Sequence, residues 1–277
     1  MKKRKTPTRT TNPTTLRERV LSHFATLGIP VTPEALDAAL LRAEKEALSH
    51  LDFLDLALGE QAARRRERSV ERRIRDAQFA ERKSLEAFDW KFNQKAINRQ
   101  QIEQLATGEF IQRRTNLIMI GQSGVGKSHI VQAIGLKACA LGYRVLFRTS
   151  AQLISDLTAS LAVKTLPERL RFYNRPDFLI VDEWGFDRIE RFECPQAAHL
   201  LYKVIDSRHH TGSTAIISNV DVDLWGEYLA DGPLAMAFFD RLVEEAVTIR
   251  IKGLSYRAHR KRNGRSDGAD DPAPPGS

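Results

Sequence analysis

The chain has 277 residues, of which 42% are hydrophobic and 28% charged, and its formal net charge is +8 at pH 7. This length holds one large domain, or one domain with a smaller domain attached. No apolar stretch approaches the ~20 residues that span a bilayer, so we expect no membrane segment. A polar Thr/Pro stretch follows the basic N-terminus, so we also expect no secretory signal peptide.

The charge is unevenly distributed. Residues 1–100 hold 21 Lys/Arg and 14 Asp/Glu, a net charge of +7, which leaves +1 for residues 101–277. Together with a pI of about 9.6, this asymmetry favours a polyanionic partner, DNA or RNA, over an acidic small molecule.

The two cysteines, Cys139 and Cys194, have no metal-ligand spacing, and Cys139 lies in an apolar helical stretch. A reducing cytoplasm fits this cysteine usage.

The first 85 residues predict a basic arm and a small helical domain. Residues 1–14 are rich in Lys, Arg, Thr and Pro without periodicity, which is typical of disorder. Thr32 and Pro33 indicate a helix start, and leucines at helical spacing follow from Leu36 to Leu58, which predicts an apolar helical face. We therefore assign residues 15–85 to an all-helical domain that binds DNA or a partner.

The last part of this domain is strongly basic. Residues 64–83 hold nine Lys/Arg in twenty positions. Such a run is often only a solvated helix face, but here it coincides with most of the net charge of the chain. We therefore expect phosphate contacts from seven arginines: Arg64, Arg65, Arg66, Arg68, Arg72, Arg73 and Arg75.

Residues 86–262 predict an α/β core. Five short apolar segments alternate with helix-length segments, which indicates a parallel sheet with helices on both faces. The predicted strands are 116–120, 144–148, 178–181, 214–217 and 247–251. Aromatic residues near Phe88 and Trp90 are candidates for an adenine pocket, and residues 263–277 predict a disordered tail.

A phosphate-binding loop follows the first predicted strand and precedes a helical stretch that starts near His129. Its glycines allow backbone N–H groups to point at a polyphosphate, and the helix N-terminus adds further donors. We expect the lysine to bind the β- and γ-phosphates and the final serine to bind Mg²⁺. The alternative, a plain glycine turn, does not explain this strand–loop–helix context. The candidate nucleotide-binding residues are His129 and the eight residues of the loop, Gly121-Gln122-Ser123-Gly124-Val125-Gly126-Lys127-Ser128.

The third predicted strand ends in the carboxylates Asp182 and Glu183. A parallel strand delivers its last residues to the sheet edge that also carries the phosphate loop. Asp182 is then placed to hold Mg²⁺, and Glu183 to orient and deprotonate the attacking water. An acidic pair after a strand is commonly just a loop start, but its combination with Lys127 predicts hydrolysis. A small-molecule kinase relies on its acceptor and a lid instead.

Three further polar residues follow apolar segments. Asn219 terminates the fourth predicted strand, where it either helps to place water or simply forms a turn. Arg241 lies on a helical stretch, and Arg257 follows the last strand. A guanidinium on the γ-phosphate stabilises transition-state charge and can come from a neighbouring subunit. The alternative for each arginine is a surface ion pair.

The order of these motifs resembles the IstB-like ATPases, AAA+ proteins encoded beside the transposase of bacterial insertion sequences and related to the DnaC helicase loaders. The resemblance covers roughly residues 35–260. It includes residues 83–90, which precede the core, and residues 105–111, which precede the first predicted strand. Family members often have Pro-Pro-Gly-Thr where this chain has 122–125, and an aliphatic residue where it has Trp184. Neither departure removes a phosphate ligand.

The resemblance implies a role for each motif residue. Lys127 and Ser128 would bind phosphate and magnesium, while Asp182 and Glu183 would hold the metal and activate water. The remaining three roles are a first sensor, an arginine finger that reaches into the adjacent subunit, and a second sensor in the same subunit. They fall on Asn219, Arg241 and Arg257, in that order.

The activity that the resemblance implies is an ATP- and Mg²⁺-dependent ATPase of the bacterial cytoplasm. It would form homo-oligomers on duplex DNA and stimulate a cognate transposase, with hydrolysis controlling disassembly. Two other interpretations stay open: a DnaC-like replicative helicase loader, and a nucleotide-gated DNA scaffold with negligible turnover.

Overall fold

The computed structural model describes residues 15–185, 196–229, 232–243 and 246–259. The contacts divide the chain into two compact units, Met1–Ser69 and Val70–Ser277. The division lies inside one helix, ahead of the boundary that composition placed at residue 85. By contact, residues 70–85 therefore belong with the larger unit, together with the connector, residues 86–115, that follows them. The predicted basic arm, the C-terminal tail and Cys194 lie outside the described residues.

The smaller unit is helical. It holds α1 (Leu16–Thr26), α2 (Pro33–Lys45) and the first part of α3 (His50–Ala77). The predicted helix start is confirmed, since the Thr32 hydroxyl accepts from the backbone of the first turn of α2, which contains Pro33. Within the described part of this unit Leu36 alone is buried. Much of the predicted leucine face, including Leu41, Leu51 and Leu54, is exposed.

The larger unit alternates helices and strands after the end of α3. The elements in chain order are α4 (Arg99–Leu105), α5 (Glu109–Gln112), β1 (Leu117–Gly121), α6 (Lys127–Leu141), β2 (Val145–Thr149), α7 (Ser150–Ala162), α8 (Leu166–Asn174), β3 (Phe178–Trp184), α9 (Ala197–Arg208), β4 (Ser213–Ser218), a 3₁₀ turn (Val222–Leu224), α10 (Trp225–Leu229), α11 (Gly232–Leu242) and β5 (Val247–Ile251).

The five strands form one parallel sheet in the order β2-β3-β4-β1-β5. In β1, Leu117 and Met119 face a core built with α6, while Ile118 and Ile120 face a second core built with α9. The predicted parallel sheet with helices on both faces is therefore confirmed. Since all strands run the same way, their carboxyl ends meet at one edge. Among the described residues, no helix is long and apolar enough to cross a membrane.

Arg208, at the end of α9, is a buried cation that joins three elements. Its guanidinium donates to the carbonyls of Tyr173 (2.8 Å), Pro176 (2.9 Å) and Ser213 (2.7 Å), and to the Thr214 hydroxyl (3.0 Å). Burial lowers the pKa of Arg208 to about 10, so the group stays charged at neutral pH. It ties the end of α8 and the start of β4 to the same helix.

We expect Arg208→Leu to lower the free energy of unfolding by about 3 kcal/mol, because two buried carbonyls and one part-buried carbonyl lose their donor. Urea titration followed by circular dichroism measures the change. Arg113→Leu is the matched control, since Arg113 directly follows α5, is exposed and pairs with Glu109 of that helix. That variant should lose about 0.5 kcal/mol or less. Equal losses in the two variants would contradict the role of Arg208.

Candidate nucleotide site

A cleft of about 560 Å³ opens at the carboxyl edge of the sheet. It lies where the loop between β1 and α6 meets the ends of β3 and β4, so residues far apart in sequence share its wall. The predicted site residues among its lining are Ser123, Gly124, Val125, Gly126, Lys127, Ser128, His129, Asp182, Glu183, Asn219 and Arg257.

The phosphate loop depends on two glycines with left-handed backbones. Gly124 has φ of 83° and Gly126 has φ of 104°, which L side chains rarely adopt. Space also excludes side chains: a Cβ on Gly126 would lie 2.8 Å from the Phe88 ring, and one on Gly124 would overlap the Ser255 hydroxyl. The turn therefore requires glycine for both conformation and packing.

Lys127, the first residue of α6, is 5% exposed. Its ammonium donates to the carbonyls of Gly121 (2.7 Å) and Gln122 (2.9 Å) and to Oδ1 of Asn219 (2.7 Å). The loop thus folds around the lysine, and the amide at the end of β4 contacts the same cation. A phosphate would compete with these neutral acceptors for the ammonium protons.

The pKa of Lys127 is lowered to about 8. Burial is the largest cause, since it disfavours the charged form; the positive charge of Arg257 acts in the same direction, and the negative charge of Asp182 opposes both. A bound polyphosphate would favour the ammonium form and raise this pKa.

Asp182 and Ser128 supply oxygen ligands on the same cleft. Asp182 is 7% exposed, and its Oδ1 accepts from the Glu183 amide at 2.8 Å. A carboxylate and a hydroxyl suit Mg²⁺, which takes further ligands from substrate phosphates and water. Within the described ranges, no group of three or more His, Cys, Asp or Glu residues could hold a metal. Asp182 and Ser128 therefore fit a Mg²⁺ ion that nucleotide phosphates also hold.

Glu183 lies in a β-bulge with an unusual backbone. Its φ is 60°, and the pairing of β3 with β4 shifts between Val181 and Trp184. The Glu183 side chain is exposed, while its carbonyl accepts from the Ser150 hydroxyl at 3.0 Å. The Glu183 backbone is therefore held in place while its carboxylate is open to water.

The segment that carries Arg257 is fastened to the loop and to the connector. The Tyr256 amide donates to the Gly124 carbonyl at 3.0 Å. Asn93 pairs with the Leu254 backbone in both directions, as donor and as acceptor, each at 3.0 Å. Asn93 is 9% exposed and lines the cleft. Sequence reasoning missed it, because one asparagine in an irregular connector carries no motif.

His129 and the aromatic connector meet at the base of the cleft. His129 Nε2 lies 2.8 Å from the Ser84 carbonyl, and its ring packs edge-on against Phe88 with centroids 5.1 Å apart. Phe88 and Phe92 line the cleft. Trp90 packs on Phe88 and donates its indole N–H to the Leu85 carbonyl. The predicted aromatic region therefore reaches the cleft through Phe88.

Arg241, which was also predicted to act on a nucleotide, lines a different pocket. Its guanidinium pairs with Asp206 at 3.2 Å, and its carbonyl accepts from the Asn116 amide. Asn116 precedes β1, so this pocket lies at the amino edge of the sheet, whereas Lys127 lies past the carboxyl end. Five strand residues separate the two edges by roughly 15 Å. The pocket has a volume of about 180 Å³.

The seven predicted DNA-contacting arginines all lie on α3. Arg73 is half-buried and the other six are exposed. Arg64 pairs with Glu60 one turn earlier. The solvated part of this helix is therefore dense in guanidinium groups.

Comparisons with known proteins extend across both units. Residues 22–264 match the model of a family described as IstB-like ATP binding protein. The chain is 31% identical over 247 residues to the "Insertion sequence IS5376 putative ATP-binding protein" of Geobacillus stearothermophilus, covering 89% of this chain and 96% of that protein. It is 35% identical over 227 residues to the "Insertion sequence IS21 putative ATP-binding protein" of Pseudomonas aeruginosa, covering 82% and 84%.

Among solved structures, DnaI aligns with a TM-score of 0.51 at 20% identity, covering 62% of this chain and 92% of that chain. This likeness concerns the fold. The predicted α/β core, a parallel sheet flanked by helices with the phosphate loop after β1, is therefore confirmed.

We expect ATP affinity to fall with rising pH above about 8, where free Lys127 loses its proton. The bound form must regain that proton, so Kd should rise by up to about tenfold between pH 8 and about pH 9. Isothermal titration in buffers of different ionisation enthalpy measures both Kd and proton uptake.

The control is Lys127→Arg, whose guanidinium stays charged throughout this range. Its affinity, whatever its size, should not vary with pH. A wild-type affinity that stays flat between these pH values would contradict the lowered pKa.

Proposed function

This chain belongs to the family of IstB-like ATP-binding proteins, and on that premise we propose that it is a Mg²⁺-dependent ATPase that assembles on duplex DNA and stimulates a transposase. The observation that carries the proposal is the separation of the site into two parts. Lys127, Asp182, Glu183 and Asn219 share one cleft, whereas Arg241 lies at the other edge of the sheet.

In the proposed reaction, Lys127 and the loop amides bind the β- and γ-phosphates. Ser128 and Asp182 would hold Mg²⁺, which would supply positive charge beside the phosphates. Glu183 accepts a proton from a water molecule while the water oxygen attacks the γ-phosphorus. At the same time the bond between the γ-phosphorus and the bridging oxygen of the β-phosphate breaks. Asn219, which already contacts the Lys127 ammonium, orients that water.

Arg241 would serve the ATP of a neighbouring subunit. Within one chain it lies at the edge opposite the phosphate loop, so it cannot reach its own γ-phosphate without unfolding part of the sheet. A second copy that presents its amino edge to the cleft would supply a guanidinium to the transition state. ATP would then stabilise the oligomer, and hydrolysis would remove the phosphate that joins the two copies.

The DNA part of the proposal comes from charge. Six exposed arginines on α3 and a net charge of +7 in residues 1–100 favour phosphate contacts, which give affinity without sequence specificity. The relatives are named for insertion sequences, which supports transposition as the process and a transposase as the partner.

The competing functions predict different binding behaviour. A replicative helicase loader would prefer single-stranded DNA, so competition between duplex and single strands distinguishes it. A DNA scaffold with negligible turnover would stimulate transposase equally with ATP and with a non-hydrolysable analogue. A small-molecule kinase does not explain Glu183 or the basic helix.

We expect Lys127→Ala to abolish ATP-dependent assembly on duplex DNA, because the triphosphate loses its main cation. Glu183→Gln should assemble and persist, because ATP binds but is not hydrolysed. Electron microscopy of particles on DNA, with light scattering over time, measures both. Identical behaviour of the two variants would refute ATP-controlled assembly.

We expect the double variant Arg68→Ala/Arg72→Ala to bind duplex DNA with a smaller salt dependence. Two lost phosphate contacts should reduce the slope of log Kd against log salt by about 2. Fluorescence anisotropy at several salt concentrations gives the slope. Arg99→Ala/Arg113→Ala removes the same charge from exposed arginines on α4 and beside α5 and should leave it unchanged. Equal slopes in all three proteins would rule out α3 as the contact.

A further inference from the structure

Trp184 directly follows Glu183 and is 1% exposed. The pairing of β3 and β4 is regular up to Val181 and resumes at Trp184 opposite Ser218, so two residues of β3 lie opposite one of β4. Bulges of this kind redirect a side chain at the end of a strand. The φ of 60° at Glu183 is costly for a residue with a Cβ, by about 1 kcal/mol, so its neighbours must hold it.

Three hydrogen bonds hold the bulge backbone. Asp182 Oδ1 accepts from the Glu183 amide (2.8 Å), Ser150 donates to the Glu183 carbonyl (3.0 Å), and Ser218 donates to the Trp184 carbonyl (2.9 Å). The last of these bonds fixes the residue immediately after Glu183. This hydrogen bond persists only while Trp184 stays in place, and the packing of the Trp184 side chain keeps it there.

The Trp184 side chain is fixed by a group of packed rings. It lies with its ring centroid 5.7 Å from Trp225, 5.1 Å from Tyr228 and 5.1 Å from Phe238. The Phe238 ring is stacked on it, with an interplanar angle of 20°, and Trp225 stacks in turn on Phe239. Such aromatic pairs contribute stabilisation beyond their buried area and favour particular geometries.

Phe238 lies on α11, three residues before Arg241. Rotation or translation of this helix would therefore move a ring stacked on Trp184. Conversely, a shift of Trp184 would displace both the bulge and the helix. Close-packed interiors transmit such displacements, because there is no free volume to absorb them. One side chain thus contacts the elements that carry two of the proposed reaction groups.

We propose that Trp184 is a positioning residue for both halves of the ATPase site. It fixes the bulge that presents Glu183 to the nucleotide of its own subunit, and through Phe238 it fixes the helix that presents Arg241 to the next subunit. This inference rests on the proposed function for the roles of Glu183 and Arg241.

Ring packing performs this positioning. The Trp184 indole N–H has no hydrogen-bond partner among the described residues. Trp184→Phe keeps an aromatic ring against Phe238, whereas Trp184→Leu removes the stacked surface. The two variants separate the role of the ring from simple bulk.

Steady-state ATP hydrolysis and equilibrium nucleotide binding test the first half. We expect Trp184→Leu to lower kcat by about tenfold or more with the Kd for ATP changed less than about twofold, since the lost interaction acts on the transition state. Trp184→Phe should recover most of the kcat. Phe178→Leu is the matched control: Phe178 is a fully buried aromatic at the other end of β3, and its loss should affect stability more than kcat.

Mixed oligomers test the second half. Glu183→Gln and Arg241→Ala subunits should complement each other, because an interface formed from the intact half of each is active. Trp184→Leu should rescue neither variant, while Phe178→Leu should rescue both. Rescue of Glu183→Gln by Trp184→Leu would overturn the effect on Glu183, and rescue of Arg241→Ala would overturn the effect on α11.

The outcomes also separate this inference from the proposed function. If Glu183→Gln hydrolyses ATP like the wild type, the proposed base is wrong and the inference falls with it. If Glu183→Gln is inactive while Trp184→Leu keeps the wild-type kcat, the inference alone is wrong.

Discussion

The contact between Lys127 and the end of β4 is the interaction on which the rest of the site depends. The ammonium joins the phosphate loop to Asn219, and burial lowers its pKa. This arrangement is possible because every strand of the sheet points the same way, so that the loop after β1 and the last residues of β3 and β4 meet at one edge. The position of the cleft thus follows from the parallel direction of the strands.

The same parallel arrangement separates Arg241, at the amino edge of the sheet, from the cleft at the carboxyl edge. Its helix leads into β5 at the amino edge of the sheet, where Asn116 and Asp206 hold it. In our proposal, a chain with this topology binds a triphosphate at its own cleft, and its Arg241 serves the cleft of another copy. Assembly and hydrolysis are coupled in our account for this reason.

Features that depend on local sequence could be predicted, and features that depend on packing could not. The phosphate loop and the strands are encoded by glycine spacing and apolar runs, so β5 was predicted at its observed bounds and Asp182 at its observed edge. The pairing of Asn93 with Leu254 joins residues 161 positions apart, and no motif announces it. The leucines of α2 and α3 have helical spacing, but spacing alone cannot show whether a partner covers them. The bulge at Glu183 likewise directly precedes Trp184, whose packing against the distant rings of Trp225 and Phe238 no local motif shows.

Turnover per subunit as a function of protein concentration, on saturating duplex DNA and ATP, tests the shared site most directly. A site completed by a neighbour predicts that turnover rises with concentration and reaches a plateau as assembly is completed, and that Arg241→Ala stays low throughout. Constant turnover per subunit from nanomolar to micromolar protein would contradict the account, because each chain would then hydrolyse ATP by itself.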